Sequence, residues 1–452
     1  MAETSRILGE NYTASQADSL GDFSYLSSIE SNNRQPMHTL YGGAHLFKRD
    51  SLVRFQSIMN HYRTTYLPYP ESLMLLLEMS GRGIIAEDAE QLINETFHLI
   101  CSKIDSNPVE DYRIDFEDGY GCHTDDDENA AAQFAANEAA IAFAESLLPN
   151  RFGTRIKSLS GSTRKRALDT LDIFISTFLD ASAGKLPKGF VITLPKITRP
   201  DEVELLCETL SEIEFRAGLK LNTIKIELMV EEPALLSDEK GNSQLLNLLK
   251  SGFGRTIGLH IGIYDYLSAL GVPAGFQIYT HPFVNDLRGQ ILLSTNSFAV
   301  DVVDGVTNTL PVEIHRGKDL SPDRKDENKQ IVFKGWSEHL YNVTESLKYG
   351  ILQGWDIHPA QCIARYIAVY IHLLEGRDST IQRMKRFISD AAKPGQSKGV
   401  FDDAATIRGL LVYLGNAANN GVITDAHLIG LNLTKAMLDL PSVEILKRIG
   451  IL

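Results

Sequence analysis

Short apolar runs alternate with longer segments in which apolar residues recur every three or four positions. The runs are Met37–Tyr41, Arg113–Phe116, Thr154–Ser158, Phe190–Leu194, Ile224–Val230, Thr256–Gly262, Phe298–Val303 and Gln353–Ile357. Their length and composition suit buried strands. Between them, Ala130–Leu148, Thr163–Leu179, Asp201–Ala217 and Trp336–Tyr349 carry helical spacing. Strand–helix alternation implies parallel strands joined by crossover helices. Eight such units predict closure into an α/β fold of the (β/α)8 TIM-barrel type. An open doubly wound sheet would favour a Gly-rich fingerprint after its first strand, and Tyr41-Gly42-Gly43-Ala44 does not read G-x-G-x-x-G.

The pattern weakens at both ends. Residues 1–35, rich in Ser, Asn and Asp, read as an N-terminal arm; 36–377 as the barrel; and 378–452 as a helical extension broken at Gly395, Asn416–Gly421 and Pro441. The first crossover, Ala44–Tyr112, is long enough for more than one helix. Residues 305–332 form a polar excursion on the C-terminal side of the seventh strand, where a mobile loop over an active site belongs.

Composition narrows the partners. The chain has 44 Lys+Arg against 58 Asp+Glu, a formal charge of −14. Such a surface repels phosphate backbones and anionic lipid, so neither nucleic acid nor membrane is an expected partner. A small anionic substrate would need local positive charge, from an Arg or a divalent cation. Cys101, Cys122, Cys207 and Cys362 are scattered, with no CxxC, which suits reduced thiols in a cytoplasmic protein. The opening MAETSRILGENYTASQ lacks the apolar core of a secretory signal. No apolar stretch approaches bilayer length.

Barrel active sites lie at the C-terminal ends of the strands. There the chain places Asp115-Phe116-Glu117-Asp118, Arg155-Ile156-Lys157, Pro195-Lys196, Glu231-Glu232-Pro233, Tyr264-Asp265 and Asp356-Ile357-His358-Pro359. Several carboxylates, an Arg, a Lys and a His thus converge on one rim. Mg²⁺ takes one or two carboxylates and leaves its other positions to water and substrate. It would act as a Lewis acid on a carbonyl next to the reacting carbon–carbon bond.

IDFED (114–118), TRIKS (154–158), TLPK (193–196), VEEP (230–233), GIYD (262–265) and WDIHPAQ (355–361), in this order, resemble the citrate lyase β-subunit / HpcH–HpaI aldolase superfamily. Malate synthases and the malyl- and citramalyl-CoA lyases are relatives of that superfamily. The resemblance, over roughly residues 36–370, is to a citrate-lyase-like branch, and it implies a Mg²⁺-dependent lyase or aldolase. Such an enzyme works on a small 2-oxo or hydroxy acid through a metal-stabilised enolate. The implied Mg²⁺ ligands are Glu231 and Asp265. Arg155 is the implied clamp on substrate oxygens, Glu117 and Asp118 hold water and the Arg, and Lys196 and His358 fall on family positions. The chain departs from the family at Lys157, where Asn is usual, and at Glu232, where Thr is usual. Its long C-terminal part also differs from the usual short tail, so participation of a CoA thioester stays open.

Bland alternatives stand beside several of these roles. Asp115 suits a structural hydrogen bond as well as catalysis, and Glu232 suits solvent. Lys196 either steadies an enolate or pairs with an acid, while His358 serves as a relay or as a satisfied strand-end residue. His260 and His281 read as structural. Asp125–Glu128 suits a helix N-terminus, and Gly42-Gly43 a turn. Two rival functions remain: phosphoryl transfer from phosphoenolpyruvate, with the loop near Arg316–Arg324 meeting the phosphate, and a catalytically silent assembly protein. Barrels of this type often associate, so a homo-oligomer is expected, with the helical tail as a possible interface.

Overall fold

The computed structural model of the chain describes residues 35–82, 89–296, 298–391, 404–440 and 442–450. The arm expected over 1–35 lies outside these residues but for its last, and the breaks at Gly395 and Pro441 lie outside them entirely. Eight parallel strands close into a barrel in chain order. They are β1 (His38–Gly43), β2 (Asp111–Asp115), β3 (Arg151–Arg155), β4 (Phe190–Leu194), β5 (Lys225–Val230), β6 (Thr256–Ile261), β7 (Asp301–Asp304) and β8 (Gln353–Asp356). The ring closes where His38 pairs with Gly354 and Leu40 with Asp356.

Every expected run overlaps a strand, though the second strand begins at Asp111 rather than Arg113, and two others are displaced further. The third strand begins at Arg151 rather than Thr154, and the seventh at Asp301 rather than Phe298. In the third, the ladder sets Arg151 against Asp111 and Arg155 against Asp115. Charged residues on the inner face hid that register from an apolar count.

Helices fill the crossovers. Among the described residues, α1 (Ser51–Tyr66), α2 (Glu71–Met79) and α3 (Ala89–Ser106) occupy the long first connection. Next come α4 (Asp125–Ala144), α5 (Arg164–Ala181), α6 (Pro200–Arg216) and α7 (Leu245–Ser251). The pair α8 (Ile263–Ala269) and α9 (Pro282–Thr295) precedes β7, and α10 (Pro322–Lys348) and α11 (Pro359–Glu375) flank β8. Helix starts are chemically marked. Proline begins α6, α9, α10 and α11, where its missing N–H costs nothing. Thr124 accepts the Asp127 N–H at 3.2 Å, and Asp125–Glu128 fills the first turn of α4, where the dipole favours negative charge.

The excursion read as loop over 305–332 is irregular only as far as Ser321. From Pro322 it is the polar first half of α10, whose start the Ser321-Pro322 pair fixes. That half faces water, so it lacks the apolar stripe by which a helix is recognised.

Helix α11 is buried almost all round, between the barrel and α1, α3 and α10. The extension follows as α12 (Arg377–Ala391), α13 (Ala404–Asn419), α14 (Asp425–Ile429) and α15 (Ser442–Arg448). The Tyr413 hydroxyl ties it to α11 by donating to the Leu373 carbonyl. No described helix is long and apolar enough to cross a membrane.

The lumen is ionic rather than aliphatic. Successive residues of a strand face opposite sides, so Asp111, Arg113 and Asp115 point inward while Tyr112 and Ile114 pack against helices. Arg113 pairs with Asp111 and, at 2.7 Å, with Glu227. His260 Nε2 lies 2.9 Å from Glu227, and Arg151 reaches Asp301 at 2.9 Å. All but Asp301, which is only partly buried, are shut away from solvent. This plug is the floor on which the next layer stands.

Candidate active site

One pleat above the plug, strands β2 to β6 present the expected polar residues together. Arg155, the last residue of β3, donates from Nε to Asp115 Oδ1 at 2.7 Å and from Nη2 to Asp115 Oδ2 at 2.5 Å. Asp115 also accepts the backbone N–H groups of Glu117 at 3.0 Å and Gly119 at 2.8 Å, which shapes the turn after β2. Its structural reading therefore holds. The fork of Arg155 is largely spent on this pair, leaving Nη1 3.4 Å from Glu117 and 3.5 Å from the Met229 sulfur. Tyr41 and Trp355 lie under the guanidinium at 5.1 and 5.8 Å from their ring centres. Sequence reasoning missed these two. The inward alternation of β1 and β8 was the signal available.

Lys196 joins the remaining groups. Its φ of 50° is a left-handed conformation that few non-glycine residues adopt, at a cost of about 1–3 kcal/mol. That geometry lets the Lys196 backbone N–H donate to Glu231 Oε1 at 2.6 Å. The ammonium meanwhile contacts Glu117, reaches Asp118 at 2.9 Å and lies 3.8 Å from Asp265. Burial pulls the ammonium toward neutrality, but hydrogen bonds to Glu117 and Asp118 outweigh it and hold its pKa above the usual value.

Glu231 and Asp265 thus share one cationic neighbour. Glu231 is buried, whereas Asp265, in the first turn of α8, is partly exposed at the mouth. A Cβ at Gly262 would come within 2.2 Å of Glu231 Oε2, so glycine alone lets the β6 backbone pass beside that carboxylate. Burial first, and the charge of Asp265 second, push the Glu231 carboxyl up to about 8. A buried carboxylate whose charge is only partly compensated, beside Asp265 on the cleft wall, fits a hard divalent cation that completes its shell with water and substrate. Among the described residues, His38, Asp356 and Cys362 form the one tight trio of possible metal ligands, but it is a structural cluster. Asp356 is taken by Arg365 at 2.8 and 2.9 Å and His339 at 3.0 Å, and His38 by Tyr366 and the Glu110 N–H.

The cleft above these groups measures 470 Å³ and is lined by Asp115, Asp118, Arg155 and Asp265 on one side and by Tyr41, Val306 and Trp355 on the other. Asp118 lines it, while Glu117 is braced beneath, between Lys196 and Arg155. Gly42 and Gly43 line it too. The turn reading gives way here to close packing, since a Cβ at Gly43 would meet the Gly119 carbonyl oxygen at 2.2 Å.

Other expected positions fall elsewhere. His358 caps α11, accepting the Ala360 N–H at 3.2 Å, and its ring rests on Tyr62. It does not line the cleft, and burial holds its pKa down to about 4. Lys157 turns outward to Glu128 at 2.9 Å, and Glu232 is only partly covered. His260 belongs to the lumen plug, and His281 caps α9. Arg316 is exposed and stands beside Tyr62 and His358; of the irregular segment after β7, Val306 is what lines the cleft.

Comparison with solved structures finds the barrel repeated. A citrate lyase from Burkholderia xenovorans LB400 is similar in fold, with a TM-score of 0.53 and 19% identity over 75% of this chain and 93% of that one. A Haloferax volcanii malate synthase, solved as a lead(II) complex, matches at a TM-score of 0.43 and 16% identity, covering 92% of this chain and 99% of that one. An HpcH/HpaI aldolase/citrate lyase family protein from Burkholderia cenocepacia J2315 matches at 0.30 and 13%, over 46% of this chain and 75% of that one. Comparison with curated proteins finds no match. A family model described as a domain of unknown function, DUF6986, matches residues 24–444. With nearly its whole length inside that match, the chain belongs to the DUF6986 family.

Proposed function

We propose that this protein is a Mg²⁺-dependent carbon–carbon lyase or aldolase acting on a small 2-oxo or 2-hydroxy acid. The observation that carries the reading is the pair Glu231 and Asp265. Each is tied to Lys196, Glu231 through the backbone N–H and Asp265 at 3.8 Å from the ammonium, and burial leaves the Glu231 charge only partly compensated. The citrate lyase similar in fold agrees with the chemistry but does not carry it.

When bound between Glu231 and Asp265, a divalent cation would supply a Lewis acid for a carbonyl oxygen. The chain's own residues do the rest. Arg155, fixed by Asp115, offers Nη1 to a substrate oxygen. Its charge is strengthened there by the water-poor floor of Tyr41, Met229 and Trp355. Lys196 holds Glu231 through its backbone and draws Glu117 and Asp118 to the rim through its ammonium. Asp118, exposed on the cleft wall, is the carboxylate we assign to moving a proton at the carbon next to the carbonyl. Glu117 is a positioning residue.

The test is exchange of the C3 protons of pyruvate with solvent deuterium, followed by NMR. Exchange should require Mg²⁺ and should vanish in Glu231→Gln and Asp265→Asn. Phosphate release from phosphoenolpyruvate without exchange would overturn the reading in favour of phosphoryl transfer. Exchange that persists in both variants would remove these carboxylates from the mechanism.

A further inference from the structure

The mouth of the barrel is divided. From β2 round to β6 it carries the acids, Arg155 and Lys196. From β7 through β8 to β1, strands adjacent in the closed ring, its wall is Val306, Trp355, Ile357, Tyr41 and Leu46. The charged residues of that second arc are turned away from the cleft. Asp304 of β7 is locked to Arg288 at 2.8 Å, and Asp356 of β8 to Arg365, both without solvent exposure. The Tyr41 hydroxyl points down to His260 at 3.2 Å. Tyr41, Met229, Val303 and Trp355 form a small apolar cluster of their own, with Val306 packed on it. Above it, Leu46 is 64% and Ile357 41% exposed, so the apolar surface continues out to the rim. The one unspent polar atom we find in this wall is the buried indole N–H of Trp355, which has no hydrogen-bond partner.

We infer that the site takes a 2-oxo or 2-hydroxy acid with a single carboxylate and an uncharged, apolar tail, aliphatic or aromatic, laid along the β7–β8–β1 wall. This rests on the function proposed above and narrows it. The polar end belongs on the ion side, where the carboxylates and Arg155 are. A substrate with a carboxylate at its far end would set that charge against Tyr41, Val306 and Trp355, with one neutral donor to hold it. Burying a charge so poorly paired is costly. The cleft lining also carries three acids, Asp115, Asp118 and Asp265, against one base, Arg155, whose Nε and Nη2 are held by Asp115 and whose Nη1 is left to the first carboxylate, so a second anionic group is repelled as well as unpaired. An apolar tail instead gains by covering Trp355, Ile357 and Leu46, and flat aromatic or branched aliphatic groups suit a wall built from two ring faces.

Calorimetric titration of the full chain at saturating Mg²⁺ tests this, with two series of 2-oxo acids. Pyruvate, 2-oxobutanoate, 4-methyl-2-oxopentanoate and phenylpyruvate form the apolar series; oxaloacetate and 2-oxoglutarate form the dianionic one. Affinity should rise about threefold to fourfold per added methylene in the first series. 4-Methyl-2-oxopentanoate should bind at least about tenfold more tightly than 2-oxoglutarate, which is of similar size. Ile357→Lys, at an exposed rim position where folding is not at stake, should narrow or reverse that ratio by about tenfold. Equal or tighter binding of 2-oxoglutarate by the unaltered protein would overturn the inference while leaving the ion site intact. An unchanged ratio in Ile357→Lys would overturn the placement of the tail. Binding of Mg²⁺ with no oxo acid of either series would bring down the proposed function itself, and this inference with it.

Discussion

Two ionic layers share the barrel lumen, and they are built from the same residue types. In the lower one, Arg113 and Arg151 face Asp111, Glu227 and Asp301, and His260 lies against Glu227. Burial alone would raise the Glu227 carboxyl, but the charges of Arg113, His260 and Arg151 override it and hold it well below the usual range. In the upper layer Arg155 is spent on Asp115, the Lys196 ammonium is shared among Glu117, Asp118 and Asp265, and Glu231 is pushed up to about 8. Compensation, not composition, separates the structural plug from the layer we propose for a cation. A buried acid with its partners in place is part of the fold. One only partly compensated is a candidate for binding something else.

The largest effect should come from breaking the compensated layer. Glu227→Ala leaves Arg113 buried and short of a partner and should cost about 3–5 kcal/mol of unfolding free energy, read by denaturant titration. The matching change in the upper layer, Glu231→Gln, should leave stability level or slightly raised. It should cut Mg²⁺-dependent deuterium exchange by about 10²-fold or more, equivalent to about 3 kcal/mol of lost transition-state stabilisation. If both variants simply unfold, the contrast between the layers is wrong.

A third expectation sharpens the contrast from outside the lumen, in the cluster beneath α11. Burial first of all lowers the His38 pKa from 6.5 to about 4. The unfolded chain therefore takes up that proton at higher pH than the folded one. The contribution is fully present above pH 6.5, is lost as pH falls toward 4, and changes no further below that. The loss is about 3 kcal/mol at 1.4 kcal/mol per pH unit, and His38→Gln should flatten that part of the stability–pH curve. The smallest effect belongs to Thr124→Ala. It removes the cap of α4 and should cost about 1 kcal/mol in thermal denaturation while leaving Mg²⁺ binding unchanged.

Much of the frame was legible because each strand is apolar on its helix-facing side. Ile114, Ile192 and Ile226 sit in runs that no solvent-facing element would tolerate. The polar residues at the strand ends were legible for the complementary reason: nothing in a strand's packing calls for Asp115, Arg155 or Glu231 there. The first half of α10 was not legible, because a helix face turned to water leaves no periodic signature. Nor was the standing of His358, whose position before Pro359 suits a relay and a helix cap equally. Only its contact with the Ala360 N–H and its distance from the cleft lining separate the two.

The order of apolar runs was enough to determine eight parallel strands and the crossovers between them, since period-2 and period-3.6 burial are properties of neighbouring residues along the chain. Tertiary structure alone decided what the inward charges do. Whether Arg155 reaches a ligand or Asp115, whether Glu231 meets an ammonium or only a backbone N–H, and which arc of the mouth is free of charge all depend on side chains that lie far apart in the chain. Electrostatic compensation is a sum over neighbours in space, and a linear reading cannot perform that sum.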